Sequence, residues 1–150
     1  MKRIKPVLFL LILCILAFNS CKKSGSSPTN AINISLKING TAKTSSAPVA
    51  DYIVSEKSLQ IMGAFGTEGV SIMIQNVKVG TFDVAKDEAI MTYSVKPDFQ
   101  YTYLGTTGKV TITSFTDTTV AGTFAFSGTD MNGLNGVVTE GKFQAKLYKQ

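Results

Sequence analysis

The chain has 150 residues, 44% of them hydrophobic, and a formal net charge of +5. That excess belongs to Lys2, Arg3, Lys5, Lys22 and Lys23; from residue 31 onward ten lysines face ten acidic residues and there is no arginine, so neither a basic footprint nor the residue best suited to bidentate phosphate recognition is present and nucleic acid is not an expected partner. The chain has no histidine and its two cysteines both precede residue 22, which takes the commonest general base and the softest nucleophile away from the rest of the chain.

Residues 1–5, MKRIK, are basic, and the next charge-free apolar run is Val7 to Phe18. Its length suits the apolar region of a secretory signal, about 7–15 residues, and falls short of the ~20 that a spanning helix needs. The run ends Phe18-Asn19-Ser20-Cys21. This stretch resembles the lipobox of bacterial lipoproteins in a relaxed form, without the usual Leu three residues before the cysteine or Ala or Gly just before it. The resemblance implies cleavage before Cys21, a diacylglyceryl group on its sulfur and acylation of the new amino group. Such an anchor would be stable, since one acyl chain binds a bilayer only marginally and two or more hold it. Residues 1–20 are thus expected to be a signal peptide, 21–30 a flexible Gly/Ser-rich tether and 31–150 a single domain. Surface-exported lipoproteins of this type often carry acidic residues after the cysteine; Lys22-Lys23 instead points to the periplasmic face of the outer membrane.

From residue 31 the pattern has a period of two. Ile32, Ile34, Leu36 and Ile38 share one face of a half-buried strand, and Asn39-Gly40 after it signals a hairpin. Residues 42–51, AKTSSAPVAD, lack alternation and read as a loop. Val70, Ile72 and Ile74 alternate next; Val77 and Val79 fall out of phase, so Asn76 marks a bulge or bend, because a one-residue slip turns every side chain over. Residues 85–89, AKDEA, suit one helical turn. Further strands follow through Met91, Tyr93 and Val95; Phe99, Tyr101 and Tyr103; Val110 and Ile112; Val120, Phe124 and Phe126; and Phe143, Ala145 and Leu147. Turn compositions at 66–69, 96–98, 105–108, 116–119 and 132–136 separate them. Short strands at this spacing imply an all-β fold, an antiparallel β-sandwich or, alternatively, a lipocalin-like up-and-down barrel. A sandwich would pack Ile72, Ile112, Phe124 and Phe126 together, and a carrier barrel would leave a cavity for a small apolar ligand. Gly122 inside a strand implies close approach of another backbone or a bulge, and Glu140-Gly141 a turn or bulge.

Ile38-Asn39-Gly40, then Gly122, Thr123, Phe124 and Phe126, then Val138, Thr139, Gly141 and Phe143 resemble the motifs of a family of small, uncharacterised bacterial envelope lipoproteins. The resemblance spans about residues 31–148. It departs at the tryptophan that the family often carries after the early Asn-Gly, since this chain has none. The family has no activity to carry over.

Chemistry-bearing residues are few. Asp87-Glu88 is the only adjacent acidic pair, and strand neighbours point to opposite faces; no catalytic role is expected. Asp130, Asn132 and Gly133 begin like a calcium loop, but its fifth and twelfth positions hold Leu134 and Gly141 rather than ligands, so the stretch reads as a turn and neither metal nor cofactor is expected. Phe99, Tyr101 and Tyr103 offer amphipathic contact surface for a ligand or partner, a glycan or a protein, unless they fill the core. Met62 and Met73 fall on the face opposite their strands' apolar residues and would be exposed. Asp117-Thr118-Thr119 resembles the O-glycosylation motif of some Gram-negative envelope proteins, with Thr118 as acceptor. The reading is a binding or structural module rather than an enzyme, held to the membrane through Cys21.

Overall fold

The period-two pattern folds into ten strands in a computed structural model that describes residues 31–150; the expected signal segment, the tether and Cys21 lie outside the described residues. The strands are β1 (Asn33–Ile38), β2 (Thr41–Ser45), β3 (Val49–Ile53), β4 (Ser58–Phe65), β5 (Glu68–Ile74), β6 (Gly80–Asp83), β7 (Ala89–Ser94), β8 (Thr102–Phe115), β9 (Thr119–Thr129) and β10 (Asn135–Lys149). Seven of them, β3, β4, β5, β7, β8, β9 and β10, pair neighbour to neighbour into a closed ring. The fold is therefore all-β, and the ring is the barrel closure of the two that the strand pattern allows. One pair, β10 with β3, is parallel.

The long strands explain how a ring forms. β10 pairs with β1 over Val138–Gln144 and with β3 over Lys146–Lys149. β8 pairs with β7 at Thr102–Leu104 and with β6 over Lys109–Ile112. The β8–β9–β10 sheet thus meets the β3–β4–β5–β7 sheet at two diagonal corners, while β1–β2 and β6 extend its free margins. Bulges permit the bending: the β8–β9 register slips at Thr106 and Thr113, and the β9–β10 register slips between Val138 and Gly141, where Glu140 takes φ 53°. Glu140-Gly141 is thus a bulge within the last strand.

Inward side chains fill the ring. Ile34, Ile61, Ile72, Met91 and Val120 have no exposed surface, and Ile112, Phe124 and Phe126 are almost as buried. Rings and glycines alternate across β9 and β10: Phe143 lies opposite Gly122 and Phe124 opposite Gly141. A Cβ on Gly122 would stand 2.7 Å from Phe143 Cζ and closer still to the Thr111 carbonyl oxygen, so both ring and backbone approach there.

Four readings need correction. Residues 105–108 are not a turn between strands but part of β8, whose register slips at Thr106. Residues 42–51 are mostly strand: β2 is an edge strand paired only with β1, exposed along most of its length, and so shows no apolar alternation. Phe99 does not share a strand with Tyr103, because Phe99–Tyr101 form a single 3-10 turn whose N-cap is Asp98. Val95 lies beyond the end of β7 and is partly exposed. The bend at Asn76 is there, with φ 52°, and the short helical turn forms at Val84–Lys86.

Candidate ligand site at the barrel mouth

One end of the barrel carries the β1–β2, β4–β5, β7–β8 and β9–β10 turns. There the inward phase, apolar elsewhere, turns polar. Lys43 on β2 stands directly opposite inward Leu36. Glu68 opens β5 in phase with Val70 and Ile72. Tyr93 follows Met91 in phase on β7, and Tyr103 on β8 is its directly opposed partner. Four polar side chains thus converge as the top layer of the interior.

Their contacts form one network. Lys43 Nζ donates to Glu68 Oε1 at 2.6 Å, and the Tyr93 hydroxyl donates to Glu68 Oε2. Tyr93 has no exposed surface, whereas the Lys43 and Glu68 side chains keep about a quarter of theirs, 26% and 23%. The Lys43 ammonium, and after it the Tyr93 hydroxyl, hold the Glu68 carboxyl below its usual range against the opposing effect of burial. Burial first, and then the Glu68 carboxylate, push the Tyr93 hydroxyl well above its ordinary value. β2 meets β4 here without a hydrogen-bond ladder. The ion pair and Ile34, packed against Gly63, close that seam.

Beside the network lies an open cleft of about 250 Å³, several times the ~30 Å³ that a water occupies. Lys43, Glu68, Tyr93 and Tyr103 line it together with Ile38 and Val95. The Tyr103 ring is seated over Gly136, where a Cβ would come within 2.7 Å of its Cε2. Asn39, at φ 47°, supplies the expected tight turn, and its Oδ1 accepts the Val137 N–H at 2.9 Å.

Two turns form the rim. The Asp130 carboxylate accepts the amides of Asn132 and Leu134 at 2.9 and 2.8 Å. Burial opposes its charge, but these bonds hold its carboxyl below the usual range. The stretch that begins like a calcium loop is therefore a turn organised by its own carboxylate. Asn132 Nδ2 donates to the Gln100 carbonyl at 3.1 Å and joins this turn to the β7–β8 turn. On the joined turns Phe99, Met131 and Leu134 stand 72%, 69% and 58% exposed.

The three expected aromatic contacts therefore separate: Tyr103 lines the cleft, Tyr101 sits at the rim beneath Lys96 Nζ at 3.3 Å, and Phe99 faces solvent. Thr118 lies on the exposed β8–β9 turn at the other end of the barrel. Met62 and Met73 are on the outer face of the β4–β5 pair, as their phase implies. Glu88 accepts the Asp83 N–H at 2.9 Å, and Asp87 closes the helical turn in a left-handed conformation, so the two carboxylates do not act as a pair. Sequence reasoning missed Lys43 and Glu68. The available signal was an acidic residue at 68 in the phase of Val70, Ile72 and Ile74.

A family model, Domain of unknown function (DUF6252), matches residues 32–145. The chain belongs to that family. The match runs from β1 into the last strand, so the polar layer and both rim turns lie within the DUF6252 region. No curated protein and no solved structure matches the chain.

Proposed function

We propose that the protein is an envelope lipoprotein, anchored through lipid on Cys21 at the periplasmic face of the outer membrane, that binds a partner at the barrel mouth and catalyses no reaction. The observation that carries this reading is the rim: three large apolar side chains stand in solvent on turns fixed by side-chain hydrogen bonds. Exposed apolar groups held in place bind at lower ordering cost than mobile ones. The filled interior favours a surface-binding module over a carrier that encloses an apolar ligand. Site-specific photo-crosslinking in intact cells tests the reading. Adducts are expected from position 99 and not from position 62 on the outer sheet face; adducts from 62 alone overturn it. Cys21→Ser should release the chain from the membrane fraction, and protease added to intact cells should leave the domain whole. Thr118, on its exposed turn, is the proposed glycan acceptor, and Thr118→Val should abolish glycan staining.

A further inference from the structure

Hydrogen-bond donors gather at the mouth. Both Glu68 oxygens are engaged, one by Lys43 and one by Tyr93. An ammonium has three N–H donors, and Glu68 takes one of those on Lys43. The Tyr103 and Thr41 hydroxyls also line the cleft. Ile38 and Val95 supply apolar wall next to these donors. The group that satisfies an ammonium and hydroxyl donors together is an anionic oxygen, whose charge-assisted bonds are about twice as strong as neutral ones. Glu68 repels such a group less than a bare carboxylate would, since Lys43 and Tyr93 meet its charge; the Lys43–Glu68 pair is neutral as a whole, so the group is held by directed hydrogen bonds rather than by net charge.

Resting on the reading of the mouth as the binding end, we infer that the cleft beside Lys43 binds a small carboxylate with a short apolar body. The anionic head meets Lys43 and Tyr103, and the body lies against Ile38 and Val95.

The test is a titration of the full chain in detergent with butyrate, butyl phosphate and 1-butanol, followed through the methyl NMR signals of Ile38 and Val95. Butyrate is expected to shift both signals saturably and to bind about ten-fold more tightly than butanol. Lys43→Met should weaken butyrate about ten-fold, as loss of a hydrogen bond to a charged group does. Tyr103→Phe, which keeps the ring on Gly136, should weaken it by a smaller factor. Equal binding of butanol, tighter binding of butyl phosphate, no saturable shift, or wild-type affinity in both variants each overturns the carboxylate assignment. Crosslinking from position 99 is independent of this ligand. If crosslinks persist while butyrate fails, the ligand class is wrong and the binding end stands; if both fail, the reading of the mouth falls too.

Discussion

Replacing Glu68 tests the polar layer most directly. Glu68→Ala removes the acceptor of a Lys43 ammonium that is about a quarter exposed and of a hydroxyl on the fully buried Tyr93. An exposed ion pair contributes about 0–1 kcal/mol, and breaking a fully buried one costs about 3–5 kcal/mol; this partly covered pair with its added hydroxyl should cost about 2–3 kcal/mol. Glu68→Gln keeps an oxygen for Lys43 and a polar group for Tyr93, so it should cost about 1 kcal/mol. In a domain of this size 1 kcal/mol moves the melting midpoint by roughly 3–6 °C. The Ala variant should therefore melt roughly 6–18 °C below wild type at pH 7 and the Gln variant roughly 3–6 °C below, as followed by circular dichroism. The pH dependence supplies a second check. Because the folded state lowers the Glu68 pKa from 4.5, its stabilisation is present above that value and disappears as pH falls through the folded value. The gap between wild type and Glu68→Gln should close in acid. An Ala variant within about 2 °C of wild type, or a Gln gap that stays unchanged in strong acid, would refute the network's role.

Tyr93 should act at the other end of the pH scale. Its raised folded pKa means that its contribution is intact below the ordinary value of about 10 and is lost as pH climbs beyond it; alkaline denaturation of Tyr93→Phe should accordingly be shallower than that of wild type, and parallel curves would contradict the assignment. Gly122→Ala sets a methyl against the Phe143 ring and the Thr111 carbonyl, and overpacking of that kind should cost about 3 kcal/mol, read as a lower urea midpoint; an unchanged midpoint would mean that the sheet yields there. Phe99→Ser with Met131→Ser should leave the urea midpoint within about 0.5 kcal/mol of wild type, since both side chains are in solvent, and a larger loss would make the rim part of the core.

The inward residues of β1, β5, β9 and β10 were legible because each repeats an apolar residue at every second position, and burial enforces that phase. Ring closure was not legible, because it depends on β8 and β10 changing partners half-way along, and the single-residue slips that bend them leave no mark beyond a glycine or a threonine. β2 escaped notice for a related reason: an edge strand carries no buried face to advertise it, and the residues on its inward phase, Thr41, Lys43 and Ser45, are all polar. Phe99, Tyr101 and Tyr103 have strand spacing, yet Asp98 caps a 3-10 turn by accepting the Gln100 N–H at 3.1 Å, a local bond that outweighs the pattern. Of the site, Tyr103 was visible as one of three aromatic residues with amphipathic contact surface. Lys43 and Glu68 are 25 residues apart, and only the register of four strands brings them together.

An inward-facing lysine on an edge strand has a structural use of its own, since charges so placed discourage pairing with another chain. That use and ligand binding make opposite predictions for Lys43→Met combined with Glu68→Gln. The double variant removes the ion pair, keeps an acceptor for Tyr93 and sets an apolar chain of similar length in the layer. Replacing a covered ion pair by a well-packed apolar group is often neutral or stabilising, so its urea midpoint should lie within about 1 kcal/mol of wild type. If Lys43 serves only to guard the edge, butyrate binds the variant as it binds wild type and light scattering shows the variant associating through β2. If Lys43 receives an anion, binding falls about ten-fold while the chain stays monomeric. The lining of the cleft favours the second outcome: an ammonium and the Tyr103 and Thr41 hydroxyls stand beside the apolar wall of Ile38 and Val95, a pairing of donors with apolar surface that guarding an edge does not require.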